Sequence, residues 1–372
     1  MKKILFCNNN LSGLLGFRGE VVNNFLSQGF SIIFLVPKHE SNRIYLSSIS
    51  SKIKLIEVTM DRTDTGLFSN LKYGFSLWKI YKKEKPDFIF HYTIKPNIFG
   101  SIVAKILAIP SVAMMAGLGV VFSDSSFKHI IAKILYKIGL SCSKKVIVLN
   151  QDNYETVLAG KFCKKDKLIL MNGEGVDLNR YHFTNNKSKR TIFLLVCRIL
   201  KEKGYYEFVK AAERIKSKYS NVEFDIVGMF DLAHKNAISK EQVNSDVNNG
   251  YIKYLGSFTN MMDVYNKPGI VLTLPSFYFE GLNRTLMEAC ACGKPIITTN
   301  VPGCKETVID GVNGYLCDPK NVDSLVNAIE KYLALDFTAK EEMSRESRKL
   351  AVAKFDVNKV IAIYNSIIKE YL

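Results

Sequence analysis

Short apolar runs alternate with longer amphipathic stretches along most of the chain, the pattern of buried parallel strands joined by covering helices. In the first half the apolar runs predict strands at 3–7, 31–36, 53–58, 87–92, 111–115, 145–149 and 168–171. A polar stretch at 183–189 interrupts the series and reads as a linker. A second series follows, with strands predicted at 191–197, 222–227, 251–255, 270–274 and 295–299. The simplest account is α/β, two Rossmann-like domains with parallel sheets, the first over 1–182 and the second over 190–352.

Two helical patterns stand apart. Over 357–372, Val360, Ile361, Tyr364, Ile367 and Ile368 fall on one stripe, and that stripe is expected to pack back on the first domain. Over 125–140, Phe127, Ile130, Ile131, Ile134, Leu135 and Ile138 follow helical spacing while Lys128, His129, Lys133 and Lys137 take other faces. Such a basic amphipathic helix suits either an ordinary sheet-covering role, stripe inward, or an anionic membrane surface.

Composition narrows the class. With 372 residues, 47% hydrophobic and 23% charged, the chain can bury two ordinary cores. No apolar stretch reaches the ~18 residues that span a bilayer, and Lys2 and Lys3 lead straight into a strand, so a cytoplasmic location is expected. The cysteines at 7, 142, 163, 197, 290, 292, 304 and 317 and the histidines at 39, 91, 129, 182 and 234 show no metal-ligand spacing, so neither a structural metal nor disulfides are expected. The net charge of +16 is uneven: residues 1–180 carry 25 Lys and Arg against 13 Asp and Glu, an excess of 12, and the remainder an excess of 4. That bias favours an anionic partner such as a phosphorylated substrate or a lipid surface. No basic reading helix, RNP-like run or zinc module supports nucleic acid.

The chemistry gathers where strands end. After the strand at 270–274, Pro275 and Ser276 stop the run, and a helix is predicted over 282–292. Glu280 at its mouth and Glu288 eight residues on would share one face and could grip two parts of a polyhydroxylated ligand, at the strand end where open sheets bind ligands. After the strand at 191–197, Arg198 and Lys203 could neutralise a diphosphate, the work a metal does elsewhere. After the first strand, the glycine-containing run 8–19 opens a helix whose N-terminus offers N–H groups to an anion.

Taken together, Arg198-x4-Lys203-Gly204, Val227-Gly228, Leu255-Gly256, Pro275-Ser276-x3-Glu280-Gly281-Leu282-x5-Glu288-Ala289-x3-Gly293-x-Pro295, Val301-Pro302-Gly303 and Gly311-x2-Gly314 resemble the retaining family 4 glycosyltransferases of GT-B fold. Thr93-Ile94-Lys95-Pro96-Asn97 and Gly117-Leu118-Gly119-x2-Phe122 resemble the bacterial branch that extends undecaprenyl-diphosphate-linked oligosaccharides, N-acetylgalactosaminyltransferases among them, and Asn172-Gly173-x-Gly175-Val176-Asp177 also fits.

The resemblance implies two sheets facing across a cleft and a UDP-sugar donor, with an N-acetylhexosamine as the favoured sugar, no cofactor and no metal. It implies that Arg198 and Lys203 hold the diphosphate, that Glu288 holds the ribose hydroxyls, and that Glu280 positions the transferred sugar. Phe279, Gly281 and Leu282 would line the sugar, with Gly228 also on the donor side and Gly13 approaching the diphosphate from the first domain. It further implies transfer with retention of the α configuration to a lipid-linked acceptor, on the inner face of the cell membrane. The charge bias adds Lys95, Lys133 and Lys137 as acceptor contacts. Two departures stand out: Met114-Met115-Ala116-Gly117 occupies the place where many relatives carry a histidine, and Asn283 stands where many carry proline. The rivals are a sugar-nucleotide epimerase of the same fold and a non-catalytic partner subunit of a transferase.

Overall fold

The computed structural model describes residues 1–60, 66–117, 127–278 and 281–372, and the chain divides into two compact units. The first unit, Met1–Glu174 with Val357–Leu372, starts with β1 (Lys3–Cys7), α1 (Leu11–Ser27), β2 (Ser31–Pro37), α2 (Asn42–Tyr45), β3 (Ile53–Val58), α3 (Leu67–Glu84) and β4 (Phe88–Tyr92). It continues with α4 (Ser101–Ile106), β5 (Ser111–Met115), α5 (Phe127–Cys142), β6 (Lys145–Val148), α6 (Gln151–Ala159) and β7 (Leu168–Leu170). The second unit, Gly175–Asp356, contains β8 (Thr191–Val196), α7 (Tyr205–Lys216), β9 (Val222–Val227), α8 (Lys240–Asn248), β10 (Lys253–Tyr254), α9 (Met262–Tyr265) and β11 (Ile270–Leu274). It closes with α10 (Arg284–Ala291), β12 (Ile296–Thr299), β13 (Gly314–Cys317), α11 (Val322–Ala334) and α12 (Phe337–Leu350); the chain then returns to the first unit as α13 (Val357–Tyr371).

The first sheet is parallel and seven-stranded, in the order β3-β2-β1-β4-β5-β6-β7. Its strands alternate faces with period two, and both faces are apolar, which is why the central strands read as hydrophobic runs, whereas the edge strand β3 carries Lys54 and Glu57. Ile4, Phe6, Phe34, Phe90 and Val112 point to one face, where α1 and α13 close the core. Here Val360, Tyr364, Ile367 and Ile368 are buried, as the terminal stripe required, and the Tyr364 ring lies 4.8 Å from that of Phe90. Leu5, Cys7, Ile33, Ile89, Ala113 and Met115 point to the other face, covered by α3, α4 and α5. His91 is enclosed on this face, its Nε2 2.9 Å from the Tyr81 hydroxyl and its Nδ1 3.3 Å from Ser101 Oγ.

The second sheet is parallel and six-stranded, in the order β10-β9-β8-β11-β12-β13. Its edge strand β13 is an addition to the sequence reading. It is four residues long, and it opens on Gly314 because a Cβ there would lie 1.8 Å from the Ile296 carbonyl oxygen of β12. The polar run 183–189, expected as a linker, is bonded into the second unit. Thr184 donates its N–H to Cys292 O (3.2 Å), and the Asn186 amide exchanges bonds with Ile270 (2.9 and 3.0 Å). The chain passes between units at Glu174/Gly175 and Asp356/Val357 instead. Among the described residues no helix is long and apolar enough to cross a membrane.

Two outcomes follow for stability. Tyr364→Ala empties a buried aromatic site on α13 and is expected to cost about 3–5 kcal/mol, read from denaturant unfolding; a cost below about 1 kcal/mol would mean that α13 is not part of the first core. Burial pushes the His91 imidazole down to about 3, so the folded chain stays neutral there while the unfolded chain takes up a proton below its ordinary 6.5. Stability is therefore expected to fall as pH drops from 6.5 toward 3, and an imidazole NMR titration that places His91 near 6.5 in the folded protein would contradict this.

Candidate active site

In both sheets the strand order reverses beside the first strand of the unit, and at such a point the loops leaving two adjacent strands diverge and open a crevice at the carboxyl ends. In the second sheet the diverging loops are 197–204, after β8, and 275–283, after β11. These hold most of the residues singled out for a donor.

Backbone contact joins the two loops. Gly204 has φ +80°, and a Cβ on it would lie 2.2 Å from the Pro275 carbonyl oxygen. The Phe277 N–H donates to Glu202 O at 3.0 Å and Ser276 Oγ donates to the same oxygen at 3.2 Å. Gly228, at the end of β9, permits a similar approach on the other side, since its Cβ would fall 1.7 Å from Cys197 O. The sequence reading placed Gly228 with the donor; its evident work is to let β9 run against the 197–204 loop.

On this framework the Lys203 side chain is buried, its Nζ 5.2 Å from the centre of the Tyr278 ring. Burial first, and to a smaller extent the Arg198 charge, lowers the Lys203 ammonium below the ordinary lysine value, against Cys197, Cys304 and Glu202. Arg198 is half-exposed and pairs with Asp231 at 2.7 Å. The structure thus brings Arg198 and Lys203 into one loop, where their charges act on each other. Gly281 and Leu282 are buried in the facing loop. Glu280 and Phe279 lie outside the described residues.

The shared helical face of Glu280 and Glu288 needs correction. Residues 281–283 are not helical, and α10 starts at Arg284 rather than at 282, so helical periodicity does not reach back to Glu280. The helix starts there because Asn283 caps it, its side-chain oxygen accepting the Leu286 N–H at 3.2 Å. With φ −73°, Asn283 keeps the angle that a proline would fix while adding a capping acceptor. Glu288 is buried and accepts from Arg284 Nε at 2.8 Å. Tyr181 also hydrogen-bonds to it; burial, and next the Glu288 carboxylate, hold that phenol well above its usual range.

At the corresponding reversal of the first sheet, β1 leads into α1 and β4 into the segment 93–97. Gly13 lies in the first turn of α1, and its N–H donates to the capping side chain of Asn10. A Cβ there would sit 2.6 Å from Asn10 Oδ1, so the absent side chain serves the cap. Thr93 has φ +69°, a strained angle for a β-branched residue, directly at the end of β4. Lys95 is half-buried just beyond it. Asn97 is fully buried and ties this segment to β5 through Met114 O (2.8 Å). Beneath the same strand ends lies Arg18, buried, 2.5 Å from Glu174 and 4.4 Å from the centre of the Tyr92 ring. Burial works against the Arg18 charge and Glu174 more than offsets it, holding the guanidinium above its ordinary value. Met114 and Met115 are buried in β5, and His91 is packed within the core.

Lys133 and Lys137 lie on α5, the first half-buried and the second exposed. The inward face of α5 is formed by Tyr136, Gly139 and Leu140, whereas Ile130, Ile131, Ile134 and Ile138 face outward. The alternative in which the isoleucine stripe covers the sheet is therefore overturned. Leu118, Gly119 and Phe122 of the Gly117 motif fall outside the described residues.

Sequence reading missed Glu202, Asp231, Tyr181 and Tyr278. Glu202 is buried between two lysines in sequence, with His234 Nε2 3.6 Å from its carboxylate, and nothing in the pattern marks it. Asp231 follows Val227-Gly228 by three residues, an acid just beyond the strand neighbouring β8, and that position was a usable signal. A cavity of about 320 Å³ lies at the opposite, amino end of the second sheet, against Thr191, Gly269 and Tyr332, and contains none of the donor candidates.

Comparison with known proteins places these loops in a family. Residues 3–150 match the family described as glycosyl transferase 4-like, and residues 179–350 the glycosyl transferases group 1. The N,N'-diacetylbacillosaminyl-diphospho-undecaprenol α-1,3-N-acetylgalactosaminyltransferase of Campylobacter jejuni is 27% identical, over 89% of this chain and 89% of its own. The capsular polysaccharide biosynthesis glycosyltransferase CapM of Staphylococcus aureus is 26% identical, over 83% of this chain and 84% of its own. Among solved structures, sucrose-phosphate synthase from Thermosynechococcus elongatus shares the fold with a TM-score of 0.82 at 18% identity, over 100% of this chain and 99% of that one. With a transferase module on each of its sheets and bacterial relatives that match over most of their length, the chain belongs to the glycosyltransferases of GT-B fold.

Proposed function

We propose that the chain moves a sugar, an N-acetylhexosamine, from a UDP-sugar to a hydroxyl of an undecaprenyl-diphosphate-linked saccharide, with retention and without a metal. The observation that carries this reading is the crevice of the second sheet, where Lys203 is buried and Arg198 waits on a weak partner. An exposed ion pair such as Arg198 with Asp231 is worth about 0–1 kcal/mol, so a phosphate oxygen can readily replace the carboxylate. A buried ammonium gains most from an anion that arrives with its own water removed. The acceptor class comes from the relatives, whose names include a diphospho-undecaprenol substrate.

On this reading Lys203 and Arg198 hold the donor diphosphate and stabilise it as it leaves with growing charge. Glu288 accepts from the ribose hydroxyls, exchanging its Arg284 bond for them. Glu280 positions the sugar ring beside Gly281 and Leu282. The departing phosphate takes the acceptor proton on the same face of the sugar, which leaves the α configuration unchanged. Gly13 and Lys95 lie at the first unit's own strand reversal and are candidates for the anionic acceptor, and Lys133 and Lys137 favour an anionic surface. The chain thereby works peripherally at the inner face of the cell membrane.

A donor screen with a short-chain undecaprenyl-diphosphate-sugar analogue tests the reaction. Lys203→Ala and Arg198→Ala are each expected to lower kcat by about 10²–10³-fold with folding preserved, and Glu280→Ala to lower it as well. Chelation of divalent ions is expected to leave the rate unchanged. Activity of Lys203→Ala within a few-fold of the parent would remove the diphosphate assignment, and strict dependence on an added divalent ion would remove the metal-independent mechanism.

A further inference from the structure

The helices α3, α4 and α5 form one layer on the face of the first sheet that carries Leu5, Cys7 and Ala113, with α4 packed between the other two. A covering helix needs one apolar face, and α3 has it in Tyr73, Leu77 and Tyr81, all buried. It also carries a second apolar stripe that faces outward: Phe68 is 88% exposed, Leu71 59% and Phe75 56%. Trp78 continues the stripe, its ring 5.7 Å from that of Phe75. The same layer exposes Ile106 (69%) at the end of α4, and Ile130, Ile131, Ile134 and Ile138 on α5. Isolated exposed apolar residues are ordinary, but stripes on neighbouring helices of one layer mark a surface that meets something.

Charge identifies the partner. Lys72, Lys79, Lys82, Lys83, Lys105 and Lys137 are exposed on these helices. Among the described residues of the three helices the one acid is Glu84, which is buried and paired with Lys54 at 2.6 Å. The lysines lie along the rings, with Lys79 Nζ 4.5 Å from the centre of Phe75 and Lys82 Nζ 4.9 Å from that of Trp78. Aromatic and aliphatic side chains that enter the acyl boundary, ringed by cations that stay with lipid headgroups, are the chemistry of an interfacial helix.

We propose that the outer face of the α3–α4–α5 layer docks on an anionic lipid bilayer, with the α3 stripe of Phe68, Leu71 and Phe75 entering the headgroup boundary. This deepens the membrane-linked acceptor reading and assigns the contact chiefly to α3, where sequence periodicity pointed only to the α5 pattern. The basic half of α3, from Lys79 onward, then lies over the headgroups while its first turns go deeper.

Trp78 is the one tryptophan in the chain and sits on the proposed contact, so it serves as a native reporter. Full-length protein is mixed with vesicles of phosphatidylcholine, with or without phosphatidylglycerol, and with acyl-brominated versions of both. A blue shift and bromine quenching of Trp78 are expected only with phosphatidylglycerol present. The double variant Phe68→Ser with Leu71→Ser, checked for unchanged circular dichroism, is expected to lose vesicle binding by about ten-fold or more while still glycosylating the short-chain soluble analogue. Binding to vesicles with Trp78 unquenched would overturn the α3 contact. So would a concentration-dependent dimer, seen by sedimentation velocity, that the same variant dissolves, because a second copy would then cover this face. If Trp78 is quenched but no acceptor is glycosylated, the docking stands and the transfer reading falls; if transfer proceeds with Trp78 unquenched, the reverse holds.

Discussion

The backbone at Gly204 runs so near Pro275 that a side chain cannot be placed between them, and the backbone at Gly228 runs as near to Cys197. These approaches hold the loops after β8 and β11 together at the reversal of the second sheet. Without them Lys203 would have no wall of Tyr278 and loop backbone to be buried against, and the carbonyl of Glu202 could not take both Phe277 N–H and Ser276 Oγ. The positive charge of this crevice is thus built into the backbone path. Arg198 then supplies a second, more exposed charge whose pairing with Asp231 costs little to exchange.

The two units use one architecture for different ends. Both are parallel sheets with the same reversal beside the first strand. In the second unit the charged loops concentrate at the carboxyl ends, and net charge over 181–372 is small. In the first unit one helical layer carries exposed lysines on an outer surface that is also apolar. In the opposite layer, α1 with α13, most apolar residues point inward and form the aromatic core around Phe6, Phe25, Phe90 and Tyr364, and Phe17 on α1 is exposed without a neighbouring stripe. The asymmetry between the layers shows that the exposed stripes are not a general property of the unit's helices.

The alternation of apolar runs was enough to place all seven strands of the first sheet, because most of them are buried on both faces and leave a clear hydrophobic signal. β13 escaped notice because it is short and begins on Gly314, a residue chosen for backbone proximity rather than strand propensity. The polar 183–189 run looked like a linker because its bonds to Cys292 and Ile270 come from distant parts of the chain. Arg198 and Lys203 were legible from their place after a strand, but their contrasting burial was not, since it depends on Tyr278 and Pro275 some seventy positions away, a separation on the order that only folding brings together. Glu288 was legible as a residue and illegible as a geometry: the cap at Asn283 broke the helical spacing that first linked it to Glu280. On α5, periodicity correctly gave a stripe, but periodicity alone does not say which way a stripe faces.

The central claim is that nucleotide sugar binds at the joined loops of the second sheet. Amide hydrogen exchange of the full chain with and without UDP tests it most directly. Slowed exchange is expected in 197–204 and 281–288 on adding UDP, with 183–191 unchanged. Slowed exchange confined to 183–191, beside the cavity at the amino end of the sheet, with 197–204 and 281–288 unaffected, would contradict it.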